Sequence, residues 1–362
     1  MMVISEHERF MRQALELARK GIGRTHPNPR VGALVVRDGQ IVGTGWHERA
    51  GQAHAEVVAL REAGEAARHA TVYVTLEPCA AHGRTPPCTD ALIAAGVSRV
   101  VYASRDPNPS MAGGADRLRS KGIEVVEGVL ADEADELNRP FFHFIRTGLP
   151  WIRAKAAVSL DGKMATHTGH SRWITGVQAR RHVHRIRAMS DAIVVGAGTL
   201  AIDNPELTVR DAPLCGDPPL RVVLADRVPP FSADYRILSA DAPSRMYVLQ
   251  PQDGVTDWQR AGVEIVNVTD LEQALRHLAD DGFLDVLVEG GGRLHASLFK
   301  RRLSCELLLY QAPVLIGGID APGLWHGPGV SRMEQAPRLD RVERIELGPD
   351  QLIRGHIVYP EE

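Results

Sequence analysis

Two periods take turns along this chain, a 3.6-residue stripe of apolar positions and a two-residue alternation or short apolar run. Their order predicts an α/β protein in two parts. Ser5 and Glu8 form a capping-box signature, and Phe10, Met11, Ala14, Leu15 and Ala18 then fall on one helical stripe that Gly21 ends. A strand is expected from Ala33 to Arg37, a hairpin turn at Asp38-Gly39 and a return over Gln40 to Gly43. Glu56 opens an apolar helical run (Val57, Val58, Ala59, Leu60), and Thr71 to Thr75 is rich in β formers. Asp90 to Ala95 reads as helix, Val100 to Ala103 and Ile123 to Val126 as strands, and Leu130 to Asn138 as helix. Thr147-Gly148-Leu149-Pro150 is the best boundary signal. Beyond it, Trp151 to Val158 is a strand carrying Lys155 in mostly apolar company. Thr175-Gly176-Val177-Gln178 reads as a second capping box opening a helix with Arg180, Arg181, Arg185 and Arg187. Strands follow at Ile193 to Val195, Arg221 to Ala225, Met246 to Leu249, Val286 to Glu289 and Glu306 to Gln311, and a hairpin-like tail spans Leu352 to Tyr359.

Composition narrows the class without adding chemistry. A chain of 362 residues with 44% hydrophobic and 24% charged residues has the make-up of an ordinary globular protein of two domains. Its net charge of -3 offers no footprint for a polyanion, so general nucleic-acid binding is not expected. Four cysteines make no disulfide framework, and Cys215 and Cys305 read as ordinary thiols, Cys305 in a core strand. Met1 to Arg12 is charged rather than apolar, and no run approaches the ~18 apolar residues of a membrane span, so a reducing cytoplasm is the expected location.

The chemistry concentrates at His54-Ala55-Glu56, Pro78-Cys79 and Cys88. One imidazole and two thiolates suit Zn²⁺, and three protein ligands leave a fourth position open for water. Glu56, two residues past His54, would move protons rather than bind metal; H-x-E followed by P-C and a second cysteine is the pattern of zinc deaminases acting on nucleobases. Here eight residues, Ala80 to Pro87, separate the cysteines. The proline before Cys79 suits a strand-to-helix turn that would place this thiolate at a helix N-terminus. A structural zinc needs a fourth ligand, for which His82 and His47 are the nearby candidates. Asn28, held between two prolines, reads as turn chemistry or as a ligand contact, and Asp106-Pro107-Asn108-Pro109 is a stiff polar loop at a strand's carboxyl end.

In the second half, Gly196-x-Gly198-x-x-Ala201 fits the dinucleotide fingerprint formally, and Gly290-Gly291-Gly292 follows another strand. Two glycine loops at two strand ends of one sheet favour a phosphate-bearing cofactor over packing alone. Lys155, Asp203 and Glu289 are charged groups at strand ends near these loops, hence acid–base candidates, although each alone is more often a structural ion pair. The arginine helix is a solvated face, or in part a holder of substrate phosphate.

Together these segments resemble the bifunctional deaminase–reductase family of riboflavin biosynthesis, of the RibD/RibG type. The resemblance rests on His26-Pro27-Asn28-Pro29-x-Val31-Gly32, Gly51-x-Ala53-His54-Ala55-Glu56, Thr75-Leu76-Glu77-Pro78-Cys79 and Gly83-Arg84-Thr85-Pro86-Pro87-Cys88. It continues through Asp106-Pro107-Asn108-Pro109, Ser159-Leu160-Asp161-Gly162-Lys163, Trp173-Ile174-Thr175, Val195-Gly196-Ala197-Gly198-Thr199 and Val288-Glu289-Gly290-Gly291. It implies a cytidine-deaminase-like three-layer domain, a zinc-dependent pyrimidine deaminase over residues 1–147. A dihydrofolate-reductase-like α/β domain over residues 150–362, dependent on NADPH, would follow. The implied cofactors are one Zn²⁺ per chain and NADPH; the implied partners are phosphorylated pyrimidines, with no nucleic acid and no membrane. A homo-oligomer, dimer or tetramer, is expected.

By the same resemblance, His54, Cys79 and Cys88 hold the metal and Glu56 shuttles protons while the 2-amino group of 2,5-diamino-6-ribosylamino-4(3H)-pyrimidinone 5′-phosphate leaves as ammonia. Asn28, His47, Asp106 and Asn108 match positions lining that pocket, and Arg84 matches a basic position facing the phosphate. In the reductase, Lys155, Asp203 and Glu289 surround the reacting sugar, and Ser171, Arg187, Leu207 and Arg210 hold the phosphorylated substrate. Trp173, Thr199, Asp203, Gly291, Gly292, Arg293, Leu294, His295, Ala296 and Ser297 line the cofactor, so the Gly196 loop is not a true Rossmann fingerprint. The chain departs from the pattern with Cys79-Ala80-Ala81, the histidine coming one place later at His82, where Cys-Ser-His is common, and with Ile202 where alanine is usual. Two rivals stand beside this reading. One is a nucleic-acid base deaminase, opposed by the acidic balance and the 5% of aromatics; the other makes the second domain a non-catalytic binding or dimerisation module.

Overall fold

The computed structural model describes residues 5–82, 86–239, 242–250 and 254–361. The chain separates between Gly148 and Leu149 into two compact units. The first runs α1 (Glu6–Arg19), β1 (Gly32–Arg37), β2 (Gln40–Trp46), α2 (Ala55–Ala63), β3 (Thr71–Leu76), α3 (Cys88–Ala94), β4 (Arg99–Ser104), α4 (Gly114–Ser120), β5 (Glu124–Glu127), α5 (Ala131–Leu137) and α6 (Arg139–Thr147). Among the described residues its sheet has five strands in the order β2-β1-β3-β4-β5. β1 is antiparallel to both neighbours, and β3, β4 and β5 are parallel.

Strand alternation sends Ala33, Val35, Val72, Val74 and Val100 to one face, under Ala55, Ala59, Leu92 and Leu118 of α2, α3 and α4. Leu34, Val36, Tyr73 and Val101 go to the other, under Phe10, Met11, Ala14 and Leu15 of α1 and Ala134 of α5. The result is a three-layer sandwich. Ser5 and Glu8 make the reciprocal cap read from the sequence. Asp38 (φ 50°) and Gly39 (φ 75°) have the left-handed pair of a tight hairpin turn. α2 lies hard against β2 because Gly45 has no side chain: a Cβ there would stand 2.2 Å from the Ala55 carbonyl oxygen. Gly114, at the start of α4, is as tightly fixed, 1.8 Å from the Pro78 carbonyl oxygen by the same measure.

The second unit runs β6 (Trp151–Val158), α7 (Val177–Met189), β7 (Ala192–Gly196), α8 (Ala197–Asp203), β8 (Leu220–Ala225), β9 (Ser244–Val248), α9 (Val255–Arg260), β10 (Val263–Asn267), α10 (Leu271–Asp280), β11 (Asp285–Val288), α11 (Gly292–Lys300), β12 (Glu306–Gln311), β13 (Arg338–Leu347) and β14 (Asp350–Val358). Among the described residues its sheet has nine strands, β10-β9-β8-β7-β11-β6-β12-β14-β13, parallel as far as β12. β14 is antiparallel to β12 and to β13. α10 and α11 cover one face, where Leu275, Leu278 and Leu298 meet Val194, Val222 and Val286. α7, α8 and α9 cover the other, where Leu200 and Trp258 meet Ile193, Val223 and Met246, and Val183 and Ile186 meet Leu287, Leu308 and Tyr310. The β13–β14 ladder slips between Asp340 and Glu343, where Arg341 has φ 49°.

The structure corrects four local expectations. The cap of α7 is Gly176 and not Thr175: no side chain caps the first turn, and the Gly176 N–H itself donates to Asp350 Oδ2 at the start of β14, at 2.6 Å. No helix follows Cys79 directly; the helix begins at Cys88. Lys155 lies inside β6 and not at a strand end, and Asp203 ends α8. Cys305 is half-buried just before β12 rather than within a core strand.

Candidate active sites

In the first unit, α2 starts at the end of the β2 hairpin with His54 as its N-cap and Glu56 buried in its first turn. Cys79 lies in the segment after β3 and Cys88 is the first residue of α3. The three ligand atoms of His54, Cys79 and Cys88 all lie within 4.8 Å of one another. His54 Nδ1 is 3.0 Å from Cys88 Sγ and 3.7 Å from Cys79 Sγ. Ligands at ~2.0 and ~2.3 Å from one zinc in tetrahedral array stand about 3.6 Å apart, so this donor set fits the ion. The Cys88 backbone N–H donates to Cys79 Sγ at 3.2 Å, bringing a helix N-terminus to that sulfur from across the loop. Hydrogen bonding from Cys88, together with His54, holds the Cys79 thiol well below the usual thiol range. Burial pushes the Glu56 carboxyl up, against the opposing pull of His54.

The surrounding polar residues are locked in turn. Asn28 Nδ2 donates to His47 Nε2 at 3.1 Å, and His47 Nδ1 donates to the Ala53 carbonyl at 3.2 Å. This fixes one tautomer, and burial lowers the pKa of His47, so its ring is neutral near pH 7 and stands edge-on to His54 at 5.5 Å. Asp106 Oδ1 accepts from the Asn108 N–H at 2.9 Å, and Asn108 Oδ1 accepts from Ser110. Burial raises the Asp106 carboxyl to about 6, although the Asn108 N–H opposes it. Glu77 ties the loop after β4 to the loop after β3, accepting from the N–H groups of Asp106 and Ala115. Its place in the Glu77-Pro78-Cys79 run was visible; its stapling role was not. Arg84 lies outside the described residues, and His82 is exposed. A cavity of about 370 Å³ opens beside Asp106 toward α5 and α6, lined also by Ser104, Asp135, Phe142 and Arg146, and touches none of the metal-cluster residues.

In the second unit, Glu289 follows β11 and is bound on three sides. Its N–H donates to the Val194 carbonyl, and its carboxylate accepts Arg187 Nε on Oε1 at 2.6 Å and Nη2 on Oε2 at 3.0 Å. Lys155 Nζ is 3.6 Å from Oε2 and sits over the Tyr310 ring at 5.8 Å. Burial alone would raise the Glu289 carboxyl, but the Arg187 and Lys155 charges hold it at about 2. Of the arginines on α7, Arg187 is thus committed to Glu289 and to the Thr208 carbonyl, while Arg180 lies over the Trp173 ring at 4.4 Å and Arg181 and Arg185 face solvent. Leu207 is buried with φ 54°, and Arg210 pairs with Glu206 and donates its N–H to His184. Asp203 is occupied differently: Oδ1 accepts from Ser171 Oγ at 3.3 Å and its carbonyl from Arg172.

The glycine loops after β7 and β11 stand side by side, since those strands are paired. Gly196 and Gly291 are the N-caps of α8 and α11, and neither helix is capped by a side chain. A Cβ on Gly198 would meet nothing within 4 Å, and one on Gly291 only Thr199 Oγ1 at 3.7 Å. Uncapped N–H groups bordering open space suit the pyrophosphate of a dinucleotide. Trp173 is 70% exposed and Arg293 also faces solvent. Leu294 packs beneath Gly290, and the His295 side chain is wholly buried, so of the run Gly291, Gly292, Arg293, Leu294, His295, Ala296 and Ser297 these two turn inward.

Comparison with known proteins follows the same division. Residues 4–104 match the cytidine and deoxycytidylate deaminase zinc-binding region, and residues 150–353 match the RibD C-terminal domain. The chain is 44% identical over 351 residues to the riboflavin biosynthesis protein RibD of Bacillus amyloliquefaciens, covering 95% of this chain and 94% of that protein. It is 42% identical to RibD of Escherichia coli, over 95% and 98% of the two chains. Among solved structures, Acinetobacter baumannii RibD superposes with a TM-score of 0.89 at 38% identity, covering 98% of this chain and 100% of that one. A diaminohydroxyphosphoribosylaminopyrimidine deaminase/5-amino-6-(5-phosphoribosylamino)uracil reductase from Thermotoga maritima does so with a TM-score of 0.85 at 36% identity, over 98% and 99%. With both catalytic regions matched in one polypeptide and the likeness running end to end, the chain belongs to the RibD family of bifunctional deaminase–reductases.

Proposed function

We propose that the chain catalyses two consecutive steps of riboflavin biosynthesis, using zinc for the first and NADPH for the second. The observation that carries the first step is the convergence of His54, Cys79 and Cys88 beside the buried Glu56. A zinc ion held by these three side chains supplies Lewis acidity that lowers the pKa of a water toward ~7. Glu56 would pass one of that water's protons to the ring nitrogen of the diaminopyrimidinone phosphate and the second, given up as the carbonyl forms, to the departing amine, a shuttle suited to a carboxyl whose pKa burial has raised. Asn28, with Nδ2 engaged by His47, would turn its carbonyl oxygen to the substrate; Asp106 and Asn108 would complete the pocket and Arg84 would face the phosphate.

NADPH supplies hydride to the ribosyl carbon of the deaminated product. As that carbon gains hydrogen its bond to the ring oxygen breaks, and the oxygen needs a proton. Glu289, held ionised by Arg187, has none to give, and the donor would be Lys155, whose Nζ stands 3.6 Å from that carboxylate. Arg187 would act through Glu289, while Ser171, Asp203, Leu207 and Arg210 would bound the phosphorylated sugar. Trp173, Thr199 and the backbone from Gly291 would receive the cofactor. The same reading takes the enzyme to be a homo-oligomer in a reducing cytoplasm, where both metal-binding thiols stay unoxidised.

The test is to supply the purified, zinc-loaded chain with 2,5-diamino-6-ribosylamino-4(3H)-pyrimidinone 5′-phosphate and NADPH, following ammonia and the NADPH absorbance together. One ammonia and one NADPH consumed per substrate are expected. Ammonia without NADPH oxidation would reduce the second unit to a binding module, and neither signal would remove the reading.

A further inference from the structure

His295 is fully buried in the first turns of α11, yet packing does not account for an imidazole there. Its Nδ1 meets no partner at good hydrogen-bonding geometry, with the Gly290 carbonyl near the ring. An apolar ring of the same size would fill the space equally well, so the polar contacts of the imidazole are what distinguish it. The other nitrogen has one partner: Nε2 donates to the main-chain carbonyl of Lys155 at 3.1 Å. That carbonyl is where the sheet runs out. The β11–β6 ladder pairs Asp285 with Trp151 and ends at Val288 and Ala154, whereas β6 stays paired with β12 through Lys155 and Leu308. The histidine ring therefore takes up the hydrogen bond at the first β6 residue that β11 no longer reaches. Its pKa, lowered by burial to about 4, keeps the ring neutral at working pH.

We propose that His295 is a positioning residue for the reduction: it pins the backbone at Lys155 and so sets where the ammonium stands relative to Glu289 and the Tyr310 ring. The inference rests on the proton-donor role given to Lys155 above. α11 begins at Gly292, directly after the glycine loop, and carries His295 one turn further on. A single rigid helix thus references the cofactor loop at its start and the proton donor at its side. A displacement of about 1 Å at a reacting group can cost on the order of 100-fold in rate.

The experiment uses the full-length, zinc-loaded chain with NADPH and 5-amino-6-(5-phosphoribosylamino)uracil. His295→Phe keeps the ring and removes the N–H; it should lower kcat for NADPH oxidation roughly 10- to 100-fold, with both KM values and ammonia release from the diamino substrate unchanged. His295→Gln offers an amide N–H and should stay within about threefold of the unsubstituted enzyme. In a Lys155→Ala background, His295→Phe should cost nothing further, because the two act through one group. A folded His295→Gln chain with kcat as low as Lys155→Ala would overturn the proposal even if the phenylalanine variant cannot be made. An unchanged kcat in His295→Phe, or full additivity with Lys155→Ala, would overturn it too. If Lys155→Ala itself leaves NADPH oxidation intact, it is the role of Lys155 that fails, and the two failures are told apart by that single variant.

Discussion

Arg187 grips Glu289 by both carboxylate oxygens, at 2.6 and 3.0 Å, in a site where both side chains are nearly closed off from water. Such a pair depends on both members being charged. The Glu289 carboxyl has a folded pKa of about 2 against an ordinary 4.5, so it is the depressed case: its contribution to stability is complete above about 4.5 and is lost as pH falls from there toward 2. The contribution is at most roughly 3 kcal/mol. Urea unfolding followed by tryptophan fluorescence reports mainly the second unit, which holds Trp151, Trp173, Trp258 and Trp325 against Trp46 alone in the first. The difference in stability between the parent chain and Glu289→Gln should be constant from pH 5 to 8 and shrink below pH 4.5; a difference independent of pH down to 2.5 would deny the pairing its charge.

Glu56→Gln keeps the size of the side chain and removes its proton traffic. Zinc content measured by atomic absorption should stay at one per chain, while ammonia release falls by about 10²-fold or more. NADPH oxidation on the already deaminated substrate should not change. Ammonia release near the parent rate would take Glu56 out of the reaction.

Removing the metal should separate the two activities. A strong chelator, or Cys88→Ser, should abolish deamination and leave reduction of the deaminated substrate in place, since no residue of the Lys155, Glu289 and Arg187 cluster belongs to the cysteine–histidine group. Loss of both activities on chelation would mean that the ion holds together more than the first unit.

Gly45→Ala tests how α2 is seated. The added methyl would stand 2.2 Å from the Ala55 oxygen, one residue from both His54 and Glu56, and backbone cannot move aside cheaply. A destabilisation of roughly 1–3 kcal/mol in the first unit is expected. Zinc should be retained less tightly in a competition with a chromophoric chelator. Unaltered unfolding and zinc retention would show that the helix can lift away from the strand.

The residues with a chemical signature were legible before any coordinates, because spacing carries them. His54, Glu56, Cys79 and Cys88 announce themselves as a set, and Ser5 with Glu8 makes its cap within four residues. What stayed hidden depends on partners far along the chain. Thr175 satisfies a local rule, but the cap falls on Gly176, whose N–H donates to Asp350, 174 residues away. Arg187 reads from its own helix as a phosphate ligand, and nothing there names Glu289 as the partner its guanidinium holds. His295 reads as part of a cofactor-lining run, and nothing near it in the chain names the Lys155 carbonyl that its ring meets where the β11–β6 ladder ends. β13 escaped notice for a simpler reason: its Arg338, Asp340, Arg341, Glu343, Arg344 and Glu346 leave almost no apolar alternation, since this strand rims the sheet and covers little core.

That rim has one more consequence. Asp340 faces His356 and Glu343 faces Arg354, so side chains on one surface are even-numbered before the slip at Arg341 and odd-numbered after it. An unmatched chain docking along β13 could follow one half, but it would meet the second half with its inner and outer surfaces exchanged. The slip therefore breaks β13 as a continuous template for edge-to-edge addition at that margin of the sheet, whose opposite margin is β10.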